Sequence, residues 1–162
     1  MVLASDIAQV FGGEHAIGRP VLGLNDLKFA ITEGLPFAAV ECAVATLSPG
    51  DKNVREQILR DVVFLRTLWS YDEQKLKGAG GPGDGSEPGG RVSMVEGERA
   101  ERIARVFALA LKAFENEDEA RSFMFRPLPK LDGVAPIENL RTEVGAREIE
   151  QILNSVIYGL PY

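Results

Sequence analysis

The chain has 162 residues, 45% apolar and 26% charged, a balance that suits one globular domain or two very small ones sharing a core, and excludes wholesale disorder. No stretch nears the roughly 18 consecutive apolar residues of a bilayer span, and the opening MVLASDIAQVFGGEH has neither a basic nor a long apolar leader region. A cytoplasmic protein with no membrane association is expected. One cysteine, Cys42, and one histidine, His15, exclude an intramolecular disulfide and the usual zinc cluster. The net charge of −6 repels phosphate backbones over the molecule as a whole, and only residues 51–77 are positive, with six basic side chains against five acidic.

In chain order, Asn25 or Asp26 can cap a short helix, DLKFAITE, that stops at Gly34. Pro36 suits the first turn of the next helix, PFAAVECAVATL, which sets Phe37, Val40, Val44 and Leu47 on one face before the turn Ser48-Pro49-Gly50. A third helix begins near Asp51 and carries Val54, Ile58 and Leu59. The run Val62-Val63-Phe64-Leu65 has β propensity but no alternating partner, so a helix through RTLWSYDEQKL is the expectation. Residues 78–90, GAGGPGDGSEPGG, hold seven of the 17 glycines and two prolines. Such a composition reads as a linker spanning roughly 20 Å as a coil. It divides the chain into an N-terminal module (1–77) and a C-terminal module (91–162).

The C-terminal module opens with Ser93 and Glu96 at capping-box spacing. The long helix that follows repeats Ile103, Val106, Phe107, Ala110, Leu111 and Phe114 as a wide core stripe, with Glu98, Arg102 and Arg105 on the wet side. A helix from about Glu117 to Phe125 ends before Pro127, and a loop through Pro129 and Gly133 leads to a short helix at Pro136. The last helix, from about Val144 to Tyr158, buries Ile149, Ile152, Leu153 and Val156 and ends at Gly159, with Pro161 barring continuation. The fold class is all-α.

No constellation for catalysis assembles. Cys42 lies mid-helix among alanines and valines as a small core residue, and His15 sits exposed in a glycine-flanked segment. The carboxylates Glu117-Asp118-Glu119 suit the positive end of a helix dipole, and the glycine-rich stretch lacks the Gly-Lys-Ser/Thr of a phosphate loop. The chain is expected to be no enzyme and to need no cofactor. The short helices around Ser48-Pro49-Gly50 are spaced as helix-turn-helix units are, with Arg55, Arg60, Arg66, Lys75 and Lys77 available to DNA. Asp61, Asp72 and Glu73 interleave with them, so a solvated charged face fits the same pattern.

From about Ser93 to Gly159 the order of Arg102 and Arg105, Phe114, Ala120, Pro127, Pro129, Leu131, Gly133, Pro136, Leu140, Thr142, Gly145, Leu153, Tyr158 and Gly159 resembles the toxin-binding domain of the Xre/MbcA/ParS antitoxins. Where that family often has Trp-Leu, this chain has Phe123-Met124, which keeps an apolar anchor. Residues 25–76 are similar in outline to the Xre-type helical domain that usually precedes it. The resemblance implies an antitoxin that blocks a RES-domain, NAD-degrading toxin encoded beside it and represses its own operon by binding operator DNA.

On that footing the last helix and the tail Gly159, Leu160, Pro161 and Tyr162, together with Arg147 and Tyr158, form the toxin-binding surface. The glycine cap and proline fix the exit direction, Leu160 and Tyr162 can fill a pocket, and the terminal carboxylate can meet a cation. Leu160 and Tyr162 could equally cover the protein's own core, and Arg147 could simply pair with Glu143 or Glu150. A homodimer is the expected assembly. The competing class is a stand-alone helix-turn-helix regulator whose C-terminal module dimerises it.

Overall fold

The computed structural model describes residues 1–64 and 90–161. In chain order these form α1 (Ala4–Val10), α2 (Gly13–Ile17), α3 (Leu24–Glu33), α4 (Phe37–Leu47), α5 (Lys52–Ile58) and a π-helical turn, Leu59–Val63. After the glycine-rich segment come α6 (Met94–Phe114), α7 (Glu117–Phe125), a 3-10 turn Pro129–Leu131, α8 (Pro136–Asn139) and α9 (Glu143–Ile157). Extended pairing among the described residues is confined to two isolated bridges, Pro36 with Arg91 and Leu128 with Val134. The fold is all-α.

α6 is the axis, and it starts where local chemistry dictates. The Ser93 hydroxyl accepts from the Glu96 amide at 3.3 Å while the Glu96 carboxylate accepts from the Ser93 amide at 2.7 Å, so two orphan donors are satisfied reciprocally. The anticipated stripe is buried at Ile103, Val106, Phe107 and Ala110, but Ala100, Ala104, Ala108 and Leu109 are buried too. The helix is covered on more than one side: α1, α3 and α4 pack against it as well as α7 and α9.

The first seventeen residues fold into two helices that composition alone did not suggest. Ile7, Val10 and Phe11 recur at helical spacing, and all three are buried in the common core. Asp6 accepts from the Leu3 amide at 2.8 Å and pairs with Lys112 of α6 at 3.1 Å. The amide bond, with help from Lys112, holds its carboxyl below the usual aspartate value despite some desolvation.

α3 begins two residues earlier than anticipated. Asp26 is not its cap but a first-turn acceptor for the Leu22 and Gly23 amides, each at 3.0 Å. Gly34 ends it at φ 95°, where an added β-carbon would press on the Val92 carbonyl oxygen. That close approach lets Arg91 donate to the Gly34 carbonyl at 2.7 Å and Val92 to Leu35 at 2.9 Å. The Phe37 amide donates to Gly90, the final residue of the glycine-rich segment, at 2.9 Å.

Asp51 caps α5 by accepting from Asn53 and Val54. Beyond it the Val62-Val63-Phe64 run continues from the helix as a π turn, closed by the Phe64 amide donating to Leu59 at 2.8 Å. Val62, Val63 and Phe64 are buried, and Phe64 stacks on Phe37 with ring centroids 6.1 Å apart. The helix anticipated through residues 66–76 and the linker positions 78–89 lie outside the described residues. The two described stretches of chain contribute to one hydrophobic core, in which Phe11, Leu35 and Val40 join Phe107, Ile149 and Leu153.

Candidate functional site: the face and groove of the last helix

α9 is locked in place from its first turn. Thr142 caps it by accepting from the Gly145 amide at 3.0 Å. Gly145 is buried against the Asn139 carbonyl of α8 so closely that no side chain fits there. Ala146, Ile149, Ile152 and Leu153 then lay its apolar face on α6.

An ionic cluster closes the edge of that interface. Arg102 donates to Glu143 at 3.0 Å and to the Leu140 carbonyl at 3.1 Å, while Arg105 meets Glu101 at 3.2 Å, Glu143 at 3.2 Å and Glu150 at 2.7 Å. The two arginines therefore do not lie on a wet side: their side chains are 14% and 27% exposed beneath α9. A helical wheel drawn on α6 alone cannot register the second helix that covers them. Burial works against the Arg105 guanidinium, but Glu101, Glu150 and Glu143 outweigh it and raise its pKa. Burial pushes the Glu101 carboxyl up, partly offset by Arg105. Burial also opposes ionisation of Glu143, yet hydrogen bonds and charge from Arg102 and Arg105 bring it below the usual glutamate value.

The opposite face of α9 is open. Val144 is 70% exposed and Tyr158 67%, and the Arg147 side chain reaches Glu143 only at 3.9 Å. Glu150, the other partner considered for Arg147, is engaged by Arg105 instead. The helix ends in a Schellman arrangement: Gly159, at φ 62°, donates to Val156 at 3.2 Å and Leu160 donates to Ser155 at 2.9 Å. This aims the tail away from the helix axis. Leu160 is 58% exposed and Pro161 is exposed, so neither is sealed in the core. Tyr162 lies outside the described residues.

Beside the end of α9 lies a groove of about 630 Å³. Its floor is apolar, formed by Phe114 and Phe123, whose ring centroids are 5.3 Å apart, with Leu128, Ile152 and Val156. Arg126, Lys130 and Ser155 supply its polar lining, and Leu160 stands at its edge. Sequence reasoning missed this feature. Its residues come from three helices and a proline-bounded loop, so no periodicity marks them; the only signal was the loop composition Pro127 to Gly133.

The residues singled out for DNA are placed only in part. Arg55 and Arg60 are half-buried, Arg60 pairing with the buried Asp61 at 3.3 Å. Arg66, Lys75 and Lys77 lie outside the described residues. His15 is exposed on α2, and Cys42 is half-buried on α4 facing Gly12. Among the described residues no group of three or more His, Cys, Asp or Glu side chains could hold a metal ion, and no helix is long and apolar enough to cross a membrane.

Residues 109–159 match the family model of the antitoxin Xre/MbcA/ParS C-terminal toxin-binding domain, a binding module rather than a catalytic one. The match starts at Leu109, in the C-terminal part of α6, rather than at Ser93, and runs to Gly159. It takes in the groove lining up to that glycine and the whole of α9, and leaves out Arg102 and Arg105. No curated protein matches the chain.

Proposed function

We propose, from the premise that residues 109–159 form a toxin-binding domain, that the chain is the antitoxin of a type II toxin-antitoxin pair and blocks a RES-type toxin that degrades NAD. The observation that carries this reading is that the matched segment includes a helix face left open to solvent: Arg147 and Tyr158 lie on the side of α9 opposite its buried apolar face, and the exposed Leu160-Pro161 exit follows directly where the match ends at Gly159. A rigid helix with a fixed exit direction presents aromatic and aliphatic anchors without a large ordering cost. Seated at the mouth of the NAD cleft, such a tail excludes substrate without any chemistry of its own. Tyr162, which lies outside the described residues, is proposed as a further contact with the toxin.

The N-terminal part, residues 1–77, is proposed as an Xre-like helix-turn-helix module joined through residues 78–90 to the toxin-binding part, 91–162. On this reading a homodimer in the cytoplasm represses its own operon. α4, the Ser48-Pro49-Gly50 turn and the Asp51-capped α5 support it by supplying two consecutive short helices, with Arg55 on α5 and Arg60 in the π turn that follows. The test is co-expression with the RES-type gene product encoded next to this one. Rescue of growth by the full chain, and its loss on deleting residues 160–162 from a protein that still folds, is the expected result. Undiminished rescue by the truncated chain rejects the tail as the blocking element.

A further inference from the structure

We infer that the groove beside α9 receives a segment of the partner protein that carries an aromatic or aliphatic anchor flanked by carboxylates. The inference rests on the toxin-binding reading for the partner's identity and adds what that partner must present. The groove's floor, Phe114, Phe123, Leu128, Ile152 and Val156, is apolar, and its volume of about 630 Å³ accommodates one large side chain and its backbone. Among the described residues its charged lining consists of Arg126 and Lys130.

That local sign runs against the whole chain, whose net charge is −6. An acidic segment is therefore repelled by most of the surface and attracted here. Arg126 is fitted for this role. It follows the last turn of α7, is exposed, and among the described residues makes no ion pair, whereas Arg121 one turn earlier is committed to Glu117, Asp118 and the Thr46 carbonyl. A free guanidinium fork at the lip of an apolar slot recognises a carboxylate in two-point fashion while the adjacent side chain is desolvated. The Ser155 hydroxyl, which lines the groove, donates to the Gln151 carbonyl at 2.9 Å, so toward a guest it serves as an acceptor for a backbone amide.

The proposal is tested on the full chain with two synthetic peptides, Ac-Leu-Trp-Glu-Glu-amide and its Gln-Gln twin, followed by amide and methyl chemical shifts. The acidic peptide is expected to shift Leu128, Ile152, Ser155 and Val156 and to bind about fivefold more tightly than the neutral one at low salt, as one charge-assisted pair allows. Arg126→Glu should reverse that preference without altering the fold. Ser155→Trp, checked by its unfolding midpoint, should fill the slot and abolish both shifts. Shifts elsewhere, equal binding of the twins, or binding untouched by either variant overturns the proposal.

The same variants assayed against the adjacent RES-type product separate the two readings. If wild type fails to hold that product while the peptides behave as expected, the toxin reading fails and the groove assignment stands. If both variants hold it as wild type does and the peptides ignore the groove, the groove assignment fails and the toxin reading stands.

Discussion

A β-carbon on Gly145 would collide with the Asn139 carbonyl oxygen, so the turn that ends α8 and the helix that begins at Glu143 are in direct backbone contact. Gly145→Ala must push the two apart, and α9 then leaves its seat on α6. A loss of about 1–3 kcal/mol is expected, the usual cost of overpacking a tight site. Urea unfolding checks it. Gly50→Ala, at a position with open space around it and no positive φ, should stay within about 0.5 kcal/mol of wild type.

Arg105 meets carboxylates from both helices, and its loss should show a pH signature. Arg105→Met leaves Glu101 and Glu150, both largely shielded, without their cation, at a cost of about 1–3 kcal/mol near pH 7. In the variant Glu101, raised by burial and no longer offset by Arg105, binds a proton more readily folded than unfolded, so stability recovers as pH falls from that raised folded value toward the ordinary glutamate value of 4.5. Wild-type Glu143, whose folded pKa is depressed, contributes in the opposite sense: its stabilisation is present above 4.5 and fades as pH falls through the lower folded value. The difference in stability between the two proteins therefore narrows on acidification. A gap that widens below pH 5 contradicts the assignment.

Phe11 is fully buried beside residues from both sides of the glycine-rich segment. Phe11→Ala should cost about 3–5 kcal/mol, and hydrogen exchange should quicken in α6 as well as in α1. Exchange that changes in α1 alone would mean that the two parts of the chain do not unfold together.

How much of this was legible beforehand follows from what is local. Ser93 with Glu96, Asp51 before a helix, and Gly159 before Pro161 each announce a helix end through short-range hydrogen bonding, and each behaves as read. Arg102 and Arg105 were misread because their partners, Glu143 and Glu150, lie about forty residues away in sequence and cover them only once α9 is docked. α1 was overlooked because Ile7 and Phe11 form an apolar stripe only one turn long, flanked by polar residues and by Gly12-Gly13. The groove was invisible for a related reason: Arg126 and Ser155 line one groove because α7 and α9 both pack on α6, which no repeat in the sequence encodes.

Tyr158 and Leu160 are 67% and 58% exposed, so their removal separates binding from folding. Tyr158→Ala and Leu160→Ala should leave the unfolding midpoint nearly unchanged, within about 0.5 kcal/mol. Each should weaken toxin binding by about 2 kcal/mol or more, the scale of an anchor at the centre of an interface. Parallel losses of stability and binding would instead make them supports of the fold.

The most direct measurement is a titration of the purified chain into its proposed partner, a RES-type toxin, while NAD consumption is followed. The account predicts that consumption stops at a fixed molar ratio, and that a chain shortened by residues 160–162 no longer stops it. Continued NAD loss under a saturating excess of the intact, folded chain would contradict it.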